Sequence, residues 1–208
     1  MRGEHPAAEH CRFLVNGEPT DNLLASGTKG SLRVRLHTEG REAHSAYPEE
    51  GTSAIDKMLD VLADLRAAAW PSDDTMGETT VNIGVIGGGT RPNVIAGAAY
   101  ADLQIRLVTD DAVVLDQLDR ILKGRARVEV LSSSRPLTLH TVEGFPSAPV
   151  RFTTDLPHLG NWGTPLLLGP GSILVAHTPE ERVAKADLVE GVDLYVRLAQ
   201  ALLAGMEK

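Results

Sequence analysis

Between residues 30 and 38 apolar and polar positions alternate. Leu32, Val34 and Leu36 fall on one face, Arg33, Arg35 and His37 on the other. A period of two marks a strand with one side buried. Residues 79–86 alternate in the same way. So do 98–108, where Ala99, Ala101, Leu103, Ile105 and Leu107 share a face. Between the first two strands, 49–69 switches to helical spacing. Ile55, Met58, Leu59, Leu62 and Leu65 form its stripe, and Ser53 or Thr52 is the candidate cap. A second helix follows Asp110 or Asp111, carries Val114, Leu115, Leu118, Ile121 and Leu122, and ends at Gly124; residues 127–131 supply a last strand. The predicted order over 30–131 is β-α-β-β-α-β. That is the ferredoxin-like pattern, two helices on one face of an antiparallel sheet.

The flanks read differently. Residues 1–12 are polar and without periodicity. Phe13-Leu14-Val15 is a short apolar run ending at Gly17, the signature of a buried strand end. Residues 71–77 form a polar loop and 137–149 a connector with Pro and Gly. From 150 onward come an apolar run at Leu166-Leu167-Leu168, a Gly-rich loop and a final amphipathic helix over about 185–203. This is a fragment of an α/β layer, too small to bury both faces of a strand alone. The fold class is therefore α+β, a ferredoxin-like domain flanked by part of an α/β domain. The expected boundaries are 1–27, 28–133 and 134–208.

Composition narrows the class. Hydrophobic residues at 42% and charged residues at 23% give a globular core rather than a disordered chain. Aromatics are only 4%, so aliphatic residues and alanine must fill that core. A net charge of −8 argues against nonspecific binding to nucleic acid or to an anionic membrane surface. Cys11 is the single cysteine, so no internal disulfide forms, which fits a reducing compartment. The start, Met-Arg-Gly-Glu-His-Pro, has no apolar core for a signal peptide, and the stretch 165–176 is too short and too broken to span a bilayer. The expectation is a cytoplasmic protein that contacts neither membrane nor nucleic acid.

Three motifs carry chemistry. Gly17-Glu18-Pro19-Thr20 sets a carboxylate at a strand end, where it can point into a crevice and serve as an oxygen ligand to zinc. On residue type alone, Glu18 reads as an ordinary exposed loop glutamate. Gly169-Pro170-Gly171 runs on to Ala176-His177-Thr178-Pro179-Glu180. A neutral imidazole there suits a metal, and the glycines let backbone amides approach a substrate. The third is Gly40-Arg41-Glu42-Ala43-His44-Ser45-Ala46-Tyr47-Pro48, whose histidine could equally be a turn residue held by Ser45 or Tyr47. Asn93 lies in Arg91-Pro92-Asn93-Val94-Ile95, Arg106 on the next strand and Lys29 in Thr28-Lys29-Gly30; of these, the Arg106 guanidinium suits a carboxylate by its own chemistry. Arg106 reads nearly as well as a solvated strand residue, and the guanidinium fork is what recommends it.

In this order the motifs resemble the zinc-dependent aminoacylase, acetylornithine deacetylase and succinyl-diaminopimelate desuccinylase family of amidohydrolases. The resemblance covers nearly all of this chain but only the last half to three-fifths of a family member. It implies a lid and dimerisation domain at 28–133, flanked by pieces of the catalytic domain. It implies Glu18 and His177 as metal ligands, with zinc as the ion (a pair per intact site, and cobalt as a possible substitute). His44 is implied to reach the partner subunit's active site and stabilise the oxyanion. Asn93 and Arg106, with Lys29 a weaker candidate, are implied to hold the substrate carboxylate, and Gly169 and Gly171 to line the substrate. The partners implied are a second copy, through the lid, and a small N-acyl amino acid, whose amide is cleaved. Acetylornithine, acetyl-lysine-type and succinyl-diaminopimelate substrates all stay open.

The family's His-x-Asp segment, bridging aspartate and Glu-Glu pair have no match. None of the 7 histidines is followed two residues later by aspartate. Glu49-Glu50 opens the first helix, where it favours the dipole, and Glu180-Glu181 follows His177, so neither is the missing pair. Gly84-Val85-Ile86-Gly87-Gly88-Gly89 is followed by a strand rather than a helix and fails as a phosphate loop. Ser132-Ser133-Ser134 reads as a turn without a nucleophile elbow. The expectation is the C-terminal part of an amidohydrolase, inactive by itself. The alternative is a non-catalytic dimerisation or amino-acid-binding module.

Overall fold

A computed structural model describes residues 6–205. In chain order its strands and α-helices are β1 (Phe13–Asn16), β2 (Leu24–Thr28), β3 (Gly30–Glu39), α1 (Ala54–Ala67), β4 (Ser72–Asp73), β5 (Gly77–Glu78), β6 (Thr80–Gly88), β7 (Ala98–Leu107), α2 (Asp111–Leu122), β8 (Arg127–Ser134), β9 (Leu137–Thr138), β10 (Ser147–Val150), β11 (Thr164–Leu167) and α3 (Lys185–Ala204). Residues 29–136 form one compact unit. The segments before and after them form another, split unit.

In the 29–136 unit the alternation does what its period requires. Leu32, Val34 and Leu36 on β3 pair with Ile105, Leu103 and Ala101 on β7, and all are buried on one face. Met58, Val61, Leu62 and Leu65 of α1 and Val114, Leu118 and Leu122 of α2 complete this core. The sheet order β6-β7-β3-β8, antiparallel throughout, is the ferredoxin-like arrangement. Both helices are capped at their N-termini: Ser53 accepts from the Asp56 amide at 3.1 Å and Asp110 from the Ala112 amide at 2.9 Å. Lys123, left-handed at φ 49°, ends α2. The other sheet face is polar. Arg35 grips Asp102 with two hydrogen bonds of 2.6 and 2.8 Å and lies over the Tyr100 ring, which in turn covers Gly87 of β6.

Several expectations shift. The first helix starts at Ala54, because Pro48–Glu50 forms a separate 3-10 turn closed at Gly51. A side chain at Gly51 would run into Ile95. Ser132-Ser133-Ser134 is the end of β8, paired with Arg33, Leu32 and Ser31, and not a turn. The 71–77 loop contains the small β4–β5 hairpin.

In the split unit β1 runs parallel to β11, and β2 lies between parallel β10 and antiparallel β9. Successive leucines at the end of β11 and just past it face opposite ways. Leu166 and Leu168 pack with Leu24, Leu194, Leu198 and Leu202, whereas Leu167 packs with Ala25, Leu139 and Leu156. Burial on both faces explains an unbroken apolar run.

One joint ties this unit together. Thr20 accepts the Gly169 amide on its hydroxyl at 3.1 Å and donates from it to the Leu23 carbonyl at 2.6 Å. The Thr20 and Asn22 amides both donate to the Gly169 carbonyl, at 3.0 and 3.1 Å, and the Asp21 amide donates to Gly171 at 2.8 Å. A Cβ on Gly169 would lie 2.4 Å from the Glu18 carbonyl oxygen, so only glycine fits. Asp21 and Asn22 turn through φ 54° and 59°, and the Asn22 side-chain Nδ2 then donates to the Asp187 carbonyl and the Glu190 carboxylate of α3, at 3.0 and 3.1 Å.

Replacing Thr20 by Val keeps the shape and leaves the buried Gly169 amide without its side-chain acceptor. The expected cost is about 1–3 kcal/mol. It should be read as a lower urea midpoint followed through Trp162 in a Trp70→Phe background. An unchanged midpoint would mean that the joint contributes nothing to stability.

Candidate functional site

The Gly-Glu-Pro-Thr and Gly-Pro-Gly…His motifs lie far apart in sequence and side by side in the fold. Glu18 leaves the end of β1 half-buried. Asn16 donates to its carboxylate at 3.3 Å. Burial pushes the Glu18 carboxyl above the usual range, the Asn16 hydrogen bond opposes this, and the negative charge of Asp155 adds to it. A carboxylate whose ionised form is disfavoured by burial and by a like charge gains most from a nearby cation.

His177 follows the 3-10 turn Ile173–Val175. It is exposed, takes a left-handed φ of 61°, and donates its amide to Glu181 at 3.1 Å. Thr178 closes the same turn on the Val175 carbonyl at 2.7 Å. Pro19 and Ala176, the neighbours of Glu18 and His177, line one cavity of about 270 Å³ together with Gly171 and Ser172. Among the described residues no group of three or more His, Cys, Asp and Glu side chains is close enough to hold a metal. Two candidate donors fall short of the three that a catalytic zinc takes from protein, so the described residues alone do not fit such a site.

The 29–136 unit builds a second corner, from His44 and Asn93. The segment after β3 and the segment before β7 pair antiparallel. His44 is bridged to Val94, the Ser45 amide donates to the Asn93 carbonyl at 3.0 Å, and the Ile95 amide donates to Ala43 at 2.9 Å. Both side chains are exposed. The Ala46 amide donates to His44 Nδ1 at 3.2 Å. This acceptor role leaves the proton of the neutral ring on Nε2, which makes Nε2 a donor. Tyr47 stands edge-on to the imidazole, ring centres 6.3 Å apart.

Arg106 is not at this corner. It sits half-buried near the far end of β7, paired with Ser31 and Thr80. Eight residues of strand separate it from Ala98, about 26 Å at the usual rise. Lys29 is only 4% exposed and donates its ammonium to the Glu78 carbonyl, so it braces the strand before β6. Thr20, Asn16 and Asp155, which shape the surroundings of Glu18, escaped the sequence reading. Thr20 was visible in the motif, but its partner lies 149 residues away.

Comparisons with known proteins agree with this architecture. The family model described as "Peptidase dimerisation domain" matches residues 26–129. A peptidase M20 domain-containing protein of Schizosaccharomyces pombe is 35% identical over 187 residues, covering 88% of this chain and 47% of its own length. A protein of Paracoccidioides lutzii described as a probable carboxypeptidase is 36% identical over 217 residues, covering 90% of this chain and 48% of its own. The chain thus spans about half the length of the curated relatives it matches. Among solved structures, aminopeptidase PepT from Bacillus cereus superposes with a TM-score of 0.65 at 17% identity, over 88% of this chain and 55% of its own. A hydantoinase/carbamoylase family amidase from Burkholderia phymatum gives 0.64 at 17%, over 94% and 55%. These two show the shared fold. With the family model matching half of its residues, the chain belongs to the M20 peptidase family and carries that family's dimerisation domain.

Proposed function

We propose that this chain is the dimerising part of a metal-dependent amidohydrolase that cleaves the amide of N-acyl amino acids or short peptides. The observation that carries the reading is the joint at Gly169, which holds the Glu18 and Gly171–His177 segments together. In this reading Glu18 and His177 are two donors to a metal site, with zinc the expected ion, whose other ligands belong to the half of the relatives that this chain does not span. The raised Glu18 carboxyl supports such a role. Gly169 and Gly171 bring backbone close to the substrate, and Lys29 acts as a brace.

His44 acts in the partner's site. When water adds to the amide carbon, the carbonyl oxygen becomes an oxyanion. The Nε2 proton, held there by the Ala46 amide on Nδ1, is donated to it. Asn93 stands at the same corner. Arg106 anchors the substrate carboxylate from the other copy. Antiparallel pairing of β6 with its counterpart accounts for this division. β6 is an edge strand with exposed Val85 and Ile86, so it is open to pairing. Its Thr80 end pairs with Arg106 and its Gly88 end with Ala99. A two-fold axis at the middle of β6 would set one copy's His44–Asn93 corner across from the other's Arg106 end, about three strand spacings or 14 Å away.

Three outcomes test this. Dialysed 1–208 should neither keep stoichiometric zinc nor hydrolyse N-acetyl amino acids; tightly held zinc or turnover would put the site elsewhere. In an active dimer, His44→Ala and Arg106→Ala should each lower kcat/KM, the first by roughly 10²–10³ in kcat. Mixing the two variants should restore one working site per heterodimer, and no recovery would refute the division between copies. Glu18→Gln should stabilise the chain at neutral pH. With its pKa raised in the fold, Glu18 favours the folded state only while protonated. Stability therefore falls as pH rises from the unfolded value, about 4.3, through the folded one. Melting temperatures of wild type and E18Q should converge at acid pH and separate above it; equal curves at all pH values would remove the strained carboxylate from the reading.

A further inference from the structure

A second cavity, of about 370 Å³, opens at the Pro19–Thr20 turn, lined by residues of the split unit alone. Leu23, Val150, Phe152, Ile173 and Leu174 give it an apolar lining. Val150 and Phe152 are backed by the buried cluster around Leu167, so that wall is firm. Leu174 lines the cavity and is 85% exposed, so its side chain is open to a molecule entering from solvent. The two charged residues of the lining, Asp21 and Arg151, have opposite signs, so neither a cationic nor an anionic group is favoured inside. Position matters as much as polarity. Pro19 and Thr20 follow Glu18 directly, and Ser172 follows Gly171, so the cavity starts where the proposed reaction site ends.

We infer that this cavity is the specificity pocket of the enzyme and takes an uncharged apolar group of the substrate. The inference rests on the amidohydrolase reading and narrows it, since an ornithine or diaminopimelate side chain would carry charge into an apolar lining. The apolar group can come from two parts of an N-acyl amino acid, its side chain or its acyl chain, and the probes separate them.

Saturation-transfer NMR on the purified chain, with N-acetyl-L-leucine, N-hexanoylglycine and N-acetyl-L-ornithine at millimolar concentration, provides the test. At least one apolar compound should bind about tenfold or more tighter than the ornithine compound. The compound that binds names the source of the apolar group. Leu174→Ser, at a position too exposed to matter for folding, should weaken that binding about threefold or more. Equal or tighter binding of N-acetyl-L-ornithine, no binding of either apolar compound, or an unchanged affinity in L174S would overturn the assignment. Hydrolysis of the same compounds by the native protein purified from its source separates this from the broader reading. Binding without cleavage of any amide sinks the amidohydrolase and leaves the pocket. Preferential cleavage of N-acetyl-L-ornithine sinks the pocket and leaves the amidohydrolase.

Discussion

The closeness of the Gly169 backbone to the carbonyls of Gly17 and Glu18 is the constraint on which the split unit depends. No side chain fits between them, and the amide and carbonyl of Gly169 are taken up by Thr20 and Asn22. A buried peptide group left without partners would cost more than the contact itself gains, so the geometry is enforced from both sides. Strand β1, the Glu18 turn, the end of β11 and the first turns of α3 are all set by this one approach, because Asn22 carries the constraint onward to Asp187 and Glu190.

The 29–136 unit is organised differently. Its helices cover one sheet face, and the candidate residues lie toward the ends of the sheet. The His44–Asn93 corner is a short antiparallel ladder between the two loops that leave β3 and enter β7, stiffened by the Nδ1 hydrogen bond and the Tyr47 ring. Arg106 lies at the opposite end of β7. A single copy therefore holds its exposed histidine and its half-buried arginine too far apart to grip one small molecule. The polar face between them is occupied by Arg35, Asp102 and Tyr100.

Much of this was legible in the sequence, for reasons that differ by region. Alternation in β3 and β7 and the stripes of α1 and α2 are strong because each element has one wet and one dry face, and the ferredoxin-like order follows from them. The signal fails where that asymmetry fails. β2, Leu24–Thr28, is buried on both sides and reads as a nondescript Leu-Ala-Ser-Gly-Thr stretch. β9 and β10 are short pieces inside a segment that reads as a connector. The serines of β8 mimic a turn because this edge strand is open to water on its outer side. Among the candidate residues, residue types and motif order pointed to Glu18 and His177 in the split unit and His44 in the other. The partners that define their chemistry, Asn16, Asp155 and the Ala46 amide, act through proximity, and the distance between Asn93 and Arg106 becomes visible only when β7 is laid out as a strand. The brace role of Lys29 likewise follows from its burial.

Thr28 and Leu137 are direct cross-strand partners in the antiparallel pair of β2 and β9, as are Gly27 and Thr138. The chain thus leaves the split unit and returns to it at neighbouring points, and the unit's own hydrogen-bonding pattern is continuous across the gap. Topologically, the 29–136 unit occupies the place of a hairpin loop. A loop of any length can be accepted there at small entropic cost, because closure entropy grows only with the logarithm of length. The architecture is that of a domain inserted into a turn, which lets the two parts diversify separately: residues 29–136 can change their assembly while the Gly169 joint goes on tying the Glu18 turn to the Gly169–Gly171 segment.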